Sequence, residues 1–153
     1  TSTQAILTPV TGYSSWATAK GLDGTPGKES GPSDDPDKDG LANLLEYMLN
    51  GDPLGNSSTI LPVGTNDATS LTLTFNRRDD SETDTTQVVE FGSTLTGWTP
   101  VAIPSAGGTT VVVAGGKSIT FTLSENGTDP DHLVVEIPVG TDATLFARVK
   151  ATK

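Results

Sequence analysis

Cysteine is absent from this chain of 153 residues. That excludes disulfides, thiolate metal sites and thiol nucleophiles, so stability must come from packing or from a bound ligand. Aromatic residues are scarce, at 5%, and His132 is the single histidine. Positive charge is also short: 9 Lys and Arg stand against 19 Asp and Glu, a formal charge of −10. Nucleic acid and anionic membrane surfaces are therefore poor partners, and divalent cations are good ones. No apolar run approaches the roughly 18 residues of a membrane helix, so no membrane insertion is expected.

Turn-forming residues are plentiful, with 17 Gly and 10 Pro, and Thr is frequent. Only 33% of the chain is hydrophobic. Such a composition suits antiparallel sheets with one wet face rather than helical bundles. The length fits one domain, or one domain with a small appendage.

Residues 1–12 read as an extended N-terminal arm, with Ala5, Ile6 and Leu7 apolar and Pro9 interrupting it. Tyr13, Trp16, Ala17 and Lys20 share a side at helical spacing, which predicts a helix over 13–20 stopped by Gly21. A loop of Gly, Pro, Ser and acid follows over 23–36. Leu41, Leu44, Leu45, Met48 and Leu49 form an i, i+3, i+4, i+7, i+8 stripe, the strongest helix signal, and Asn50-Gly51-Asp52-Pro53 ends it.

Beyond residue 58 the period becomes two. Leu71, Leu73 and Phe75 alternate with Thr72 and Thr74, and further strands are predicted over 87–92, 98–103, 109–114, 118–124, 133–139 and 145–151. Gly115-Gly116 is the clearest hairpin turn. Seven short strands within about 90 residues imply an antiparallel β-sandwich. The expected organisation is an arm (1–12), a helical calcium-binding unit (13–58) and a mainly β sandwich (59–153).

The sharpest chemistry lies between the loop and the second helix. Ca²⁺ takes six to eight hard oxygen ligands, and a twelve-residue loop supplies them from positions 1, 3, 5, 7, 9 and 12, with Gly at 6. Here Asp35, Asp37 and Asp39 occupy the first three, Gly40 stands at the turn, Leu41 offers its carbonyl, Asn43 acts directly or through water, and Glu46 closes the shell. Gly31-Pro32-Ser33-Asp34 precedes the loop, so no helix enters it, and the pattern is half an EF-hand. It resembles the calcium repeats of dockerins and thrombospondin type 3 modules, which implies an extracellular structural site.

A wider resemblance rests on Tyr13-x-x-Trp16-Ala17, Gly21-Leu22, the calcium loop with Tyr47, Gly51-Asp52-Pro53-Leu54, Leu71-Thr72-Leu73-Thr74-Phe75, Val89-Glu90-Phe91-Gly92-Ser93-x-Leu95-x-Gly97-Trp98 and Phe146-Ala147-Arg148-Val149-Lys150. This layout is similar to C-terminal modules of large secreted proteins from Verrucomicrobia and Planctomycetes. The resemblance implies an exported chain, outside the cell or at its surface with any signal peptide removed, whose helical calcium unit packs on a fibronectin type III-like sandwich.

The remaining residues carry bland readings. His132, in Asp129-Pro130-Asp131-His132, reads as a turn histidine, since no nucleophile signature surrounds Ser124. Asp79, Asp80, Glu82 and Asp84 read as a solvated hairpin loop rather than a second cation site. Trp16 and Trp98 read as core rather than sugar platforms. No constellation supports an enzyme. The expectation is a calcium-stabilised structural or adhesive module, with self-assembly through strand addition by the arm as one form of it. A glycan-binding accessory module is the alternative. The arm pairs either with another copy or with its own domain.

Overall fold

The computed structural model describes residues 12–125 and 127–153. Residues 1–11, expected to add a strand to a sheet edge, lie outside the described residues. The described chain is mainly β. Two antiparallel sheets form a small sandwich, preceded by a helical unit. The helices are α1 (Tyr13–Ala19), α2 (Asn43–Leu49) and α3 (Asp79–Asp84), with a 3-10 turn at Ser58–Ile60. The strands are β1 (Val63–Asn66), β2 (Ser70–Arg77), β3 (Thr86–Gly92), β4 (Thr99–Ala102), β5 (Gly108–Ala114), β6 (Lys117–Ser124), β7 (Asp131–Pro138) and β8 (Phe146–Thr152).

One sheet has the order β1-β2-β7-β6-β5 and the other β4-β3-β8. Alternation decides what each strand buries. In β6, Ile119, Phe121 and Leu123 face inward, and in β7 Leu133, Val135 and Ile137 do. Val89, Phe91 and Val101 cover them from the other sheet. All seven expected strands are present, and β5 and β6 form the hairpin at Gly115-Gly116. The last residue of β3 is Gly92, where a Cβ would collide with the Gly97 carbonyl oxygen.

Four expectations need correction. β1 was not foreseen: its four residues are all exposed, so it carries no alternation. The acidic stretch after Arg77-Arg78 is not a hairpin loop, because β2 and β3 lie in different sheets. It is the short helix α3, where Ser81 is buried and Glu82 pairs with buried Arg77. Trp98 is not core. It is half-buried, donates to the Leu95 carbonyl at 3.1 Å, and lies 4.2 Å beneath the Arg148 guanidinium. Finally, α2 begins at Asn43 rather than at 41, because Ala42 is extended and loop carbonyls cap the helix: Asn43 N–H donates to Asp34 and Leu44 N–H to Pro32.

Helix α2 joins the two parts. Met48 and Leu49 enter the sandwich core, while Leu44 and Tyr47 join Tyr13, Trp16, Ala17 and Leu22 in a second cluster. The three rings of that cluster meet at centroid distances of 5.3 to 5.6 Å. Asp84 receives the Tyr13 N–H at 2.6 Å, which ties α1 to α3. Among the described residues, no helix is long and apolar enough to cross a membrane.

Candidate metal centre

The acidic loop is folded by its own carboxylates. Asp35 Oδ2 accepts the Gly40 N–H at 3.0 Å, Asp37 Oδ1 accepts the Asp39 N–H at 3.2 Å, and Asp39 Oδ1 accepts the Leu41 N–H at 2.8 Å. These short Asx-type bonds wind the segment on itself. Gly40 sits at φ 93°, a left-handed conformation that a side chain disfavours. One oxygen from each of Asp35, Asp37 and Asp39 then lies within 4.8 Å of the others.

Glu46 comes from the first turn of α2 and is fully buried. Neither of its carboxylate oxygens accepts a hydrogen bond, and Asp35 Oδ1 and Asp37 Oδ2 are likewise buried and unpartnered. The neighbouring Ser57 hydroxyl is engaged with the Asp52 and Gly55 carbonyls, at 3.3 and 3.2 Å. An orphaned buried acceptor costs on the order of 1–3 kcal/mol, and more if charged. Burial pushes the Glu46 carboxyl up to about 7. Ser57 offsets part of that rise, and the charges of Asp37, Asp39 and Asp35 add to it. Burial also raises Asp37, with Asp39 and Asp35 adding to the rise and its bond from the Asp39 N–H opposing it. These acceptor-only oxygens, hard and negative, are the donor set that Ca²⁺ takes.

Leu41 is buried between Gly40 and α2. Asn43 Nδ2 donates to the Glu29 and Gly31 carbonyls, each at 2.9 Å, and its Oδ1 is buried without a partner. Asn43 therefore pins the preceding loop, as does the Tyr13 hydroxyl, which donates to Ser30 O at 2.9 Å. Sequence reasoning missed Ser57, whose N–H closes on Asp39 Oδ2 at 2.6 Å and links the loop to the chain entering the sandwich. Nothing in its local pattern marks it.

His132 is exposed, and its Nδ1 lies 3.0 Å from Asn76 Oδ1. No protein-family model, curated protein or solved structure matches this chain.

Proposed function

We propose that this chain is a calcium-stabilised structural module, working outside the cell in adhesion or assembly. The observation that carries the reading is Glu46, buried with two unpartnered carboxylate oxygens beside Asp35, Asp37 and Asp39. A divalent cation offsets that charge and fastens the loop at 23–36 and α2 to the rest of the domain. Glu46 supplies two oxygens, Asp35, Asp37 and Asp39 one each, and Leu41 its carbonyl; the Asn43 side chain is left to hold the loop.

Thermal melting of Glu46→Gln tests it. The parent should melt markedly higher in Ca²⁺ than in chelator, and the variant should lose that difference. Mg²⁺ should protect the parent poorly, because it demands six short contacts and keeps its waters. A parent that melts alike in Ca²⁺ and chelator sinks the reading.

Self-association is the form of this function with most behind it. β1 and β5 are edges of the larger sheet, and Val63, Val111 and Val113 on them are exposed. Open edges accept added strands, and the apolar residues Ala5, Ile6 and Leu7 suit that use. Deleting residues 1–11 should abolish high-mass assemblies and leave the fold intact. The glycan-binding alternative has less support. Six of the eight aromatic residues are buried, leaving Phe146 and half-buried Trp98, whose face Arg148 covers.

A further inference from the structure

We infer that Asp79, Glu125 and Asp131 form a second divalent-cation site, where the start of α3 meets the β6–β7 connection and the first residue of β7. Asp79 is distant in sequence from Glu125 and Asp131, which flank the β6–β7 connection, yet one carboxylate oxygen of each lies within 4.8 Å of the others. Oxygens bound to one Ca²⁺ at about 2.4 Å are at most about 4.8 Å apart, so the spacing suits a shared ion.

Asp131 supplies the independent observation. It has no solvent exposure, and neither of its oxygens accepts a hydrogen bond. Asp79 Oδ1 is also buried and unpartnered. The two nearby arginines are shared among several acids. Arg77 closes on Glu82 and donates to the Pro104 carbonyl at 2.8 Å, and its Nη2 stands 3.9 Å from Asp131, beyond hydrogen-bond reach. Arg78 pairs with Asp129 at 3.2 Å and Asn50 at 3.0 Å. Asp79, Glu82, Glu125, Asp129 and Asp131 thus gather around these two arginines, and acid is in excess.

Carboxylates this close share either a proton or a cation. Three converging acceptors favour the cation, since one proton bridges only two. The class is a hard divalent ion, with Ca²⁺ the best match to carboxylates alone. The backbone is already braced for it: the Asp79 N–H donates to Asp129 Oδ1 at 2.7 Å, holding α3 against the β6–β7 connection. This site shares no ligand with the centre at Glu46, so either can fail alone.

Calorimetric titration of the intact chain with Ca²⁺, near neutral pH, tests the inference. Because Asp131 is buried, Asp79→Asn and Glu125→Gln carry the test, with circular dichroism confirming their folds. The parent should bind two equivalents and each variant one fewer. One equivalent in the parent, kept by Glu46→Gln and lost by Asp79→Asn, would sustain this site and sink the other. Equal stoichiometry in the parent, Asp79→Asn and Glu125→Gln overturns it, as does a parent that binds no Ca²⁺. A shared proton is then the occupant.

Discussion

In the sandwich, β6 and β7 bury every second side chain, an apolar layer from Ile119 to Leu123 and from Leu133 to Ile137. In the helical unit, α1 and α2 contribute one small aromatic cluster, and the loop between them is held by carboxylates and the Asn43 amide. The first region is stabilised by area removed from water, at about 25 cal/mol per Å². The second buries a carboxyl group with no protein partner. Buried, unpartnered carboxylates thus mark two places, Glu46 in the helical unit and Asp131 where β7 begins, while the apolar layer between the sheets is complete as protein.

The largest expected effect falls on the sandwich. Phe121→Ala removes a ring that is 1% exposed, and should cost about 3–5 kcal/mol. Denaturant titration should give the same loss in Ca²⁺ and in chelator. A loss that depends on the ion would break the separation between the regions.

Chelation comes next. An ion present at about 1,000 times its Kd stabilises by about 4 kcal/mol, and differential scanning calorimetry should record that loss as a lower melting temperature in chelator. The pH profile sharpens the point. With chelator present, Glu46 is raised from 4.5 to about 7 by burial. Between those values the unfolded chain has released a proton that the native state retains, so stability should fall as pH rises through the window and level off above it. Asp131, raised from 3.8 to about 6 by burial first and then by Glu125 and Asp79, slopes the same way over its own window. Denaturation of Glu46→Gln across pH isolates the Glu46 share, which Ca²⁺ should reverse by favouring the carboxylate.

The smallest effect belongs to Trp98→Ala. Its stacking beneath Arg148 is worth about 0.5–1 kcal/mol, and urea melts should show a change of that order in either condition. A loss of several kcal/mol would restore the core reading.

What could be read from the sequence follows from what is local. The strands were legible because Leu73, Phe75, Ile119, Phe121 and Leu123 alternate with Thr and Ser. The acidic loop was legible as a candidate cation site because its aspartates and Glu46 fall within twelve positions. β1 was hidden because nothing in it is buried. Arg77 and Asp131 were hidden for the opposite reason. They continue the inward parity of Leu73-x-Phe75 and Leu133-x-Val135, but their charge suggested solvent. Asp79 meets Glu125 and Asp131 only through tertiary structure, and Ser57 reaches Asp39 across 18 residues. Asn43 occupies the expected loop position, yet its amide found the carbonyls of Glu29 and Gly31 within reach.

The most direct test of the central claim is amide hydrogen exchange, residue by residue, in Ca²⁺ and in chelator. Local opening is read segment by segment in this way. The account predicts that chelation speeds exchange at Gly40, Leu41, Asn43, Leu44 and Ser57, whose N–H groups bond to the loop or its carboxylates. The ladder between β6 and β7 should keep its protection. Identical protection of those amides with and without Ca²⁺ would contradict the claim that a cation holds the helical unit.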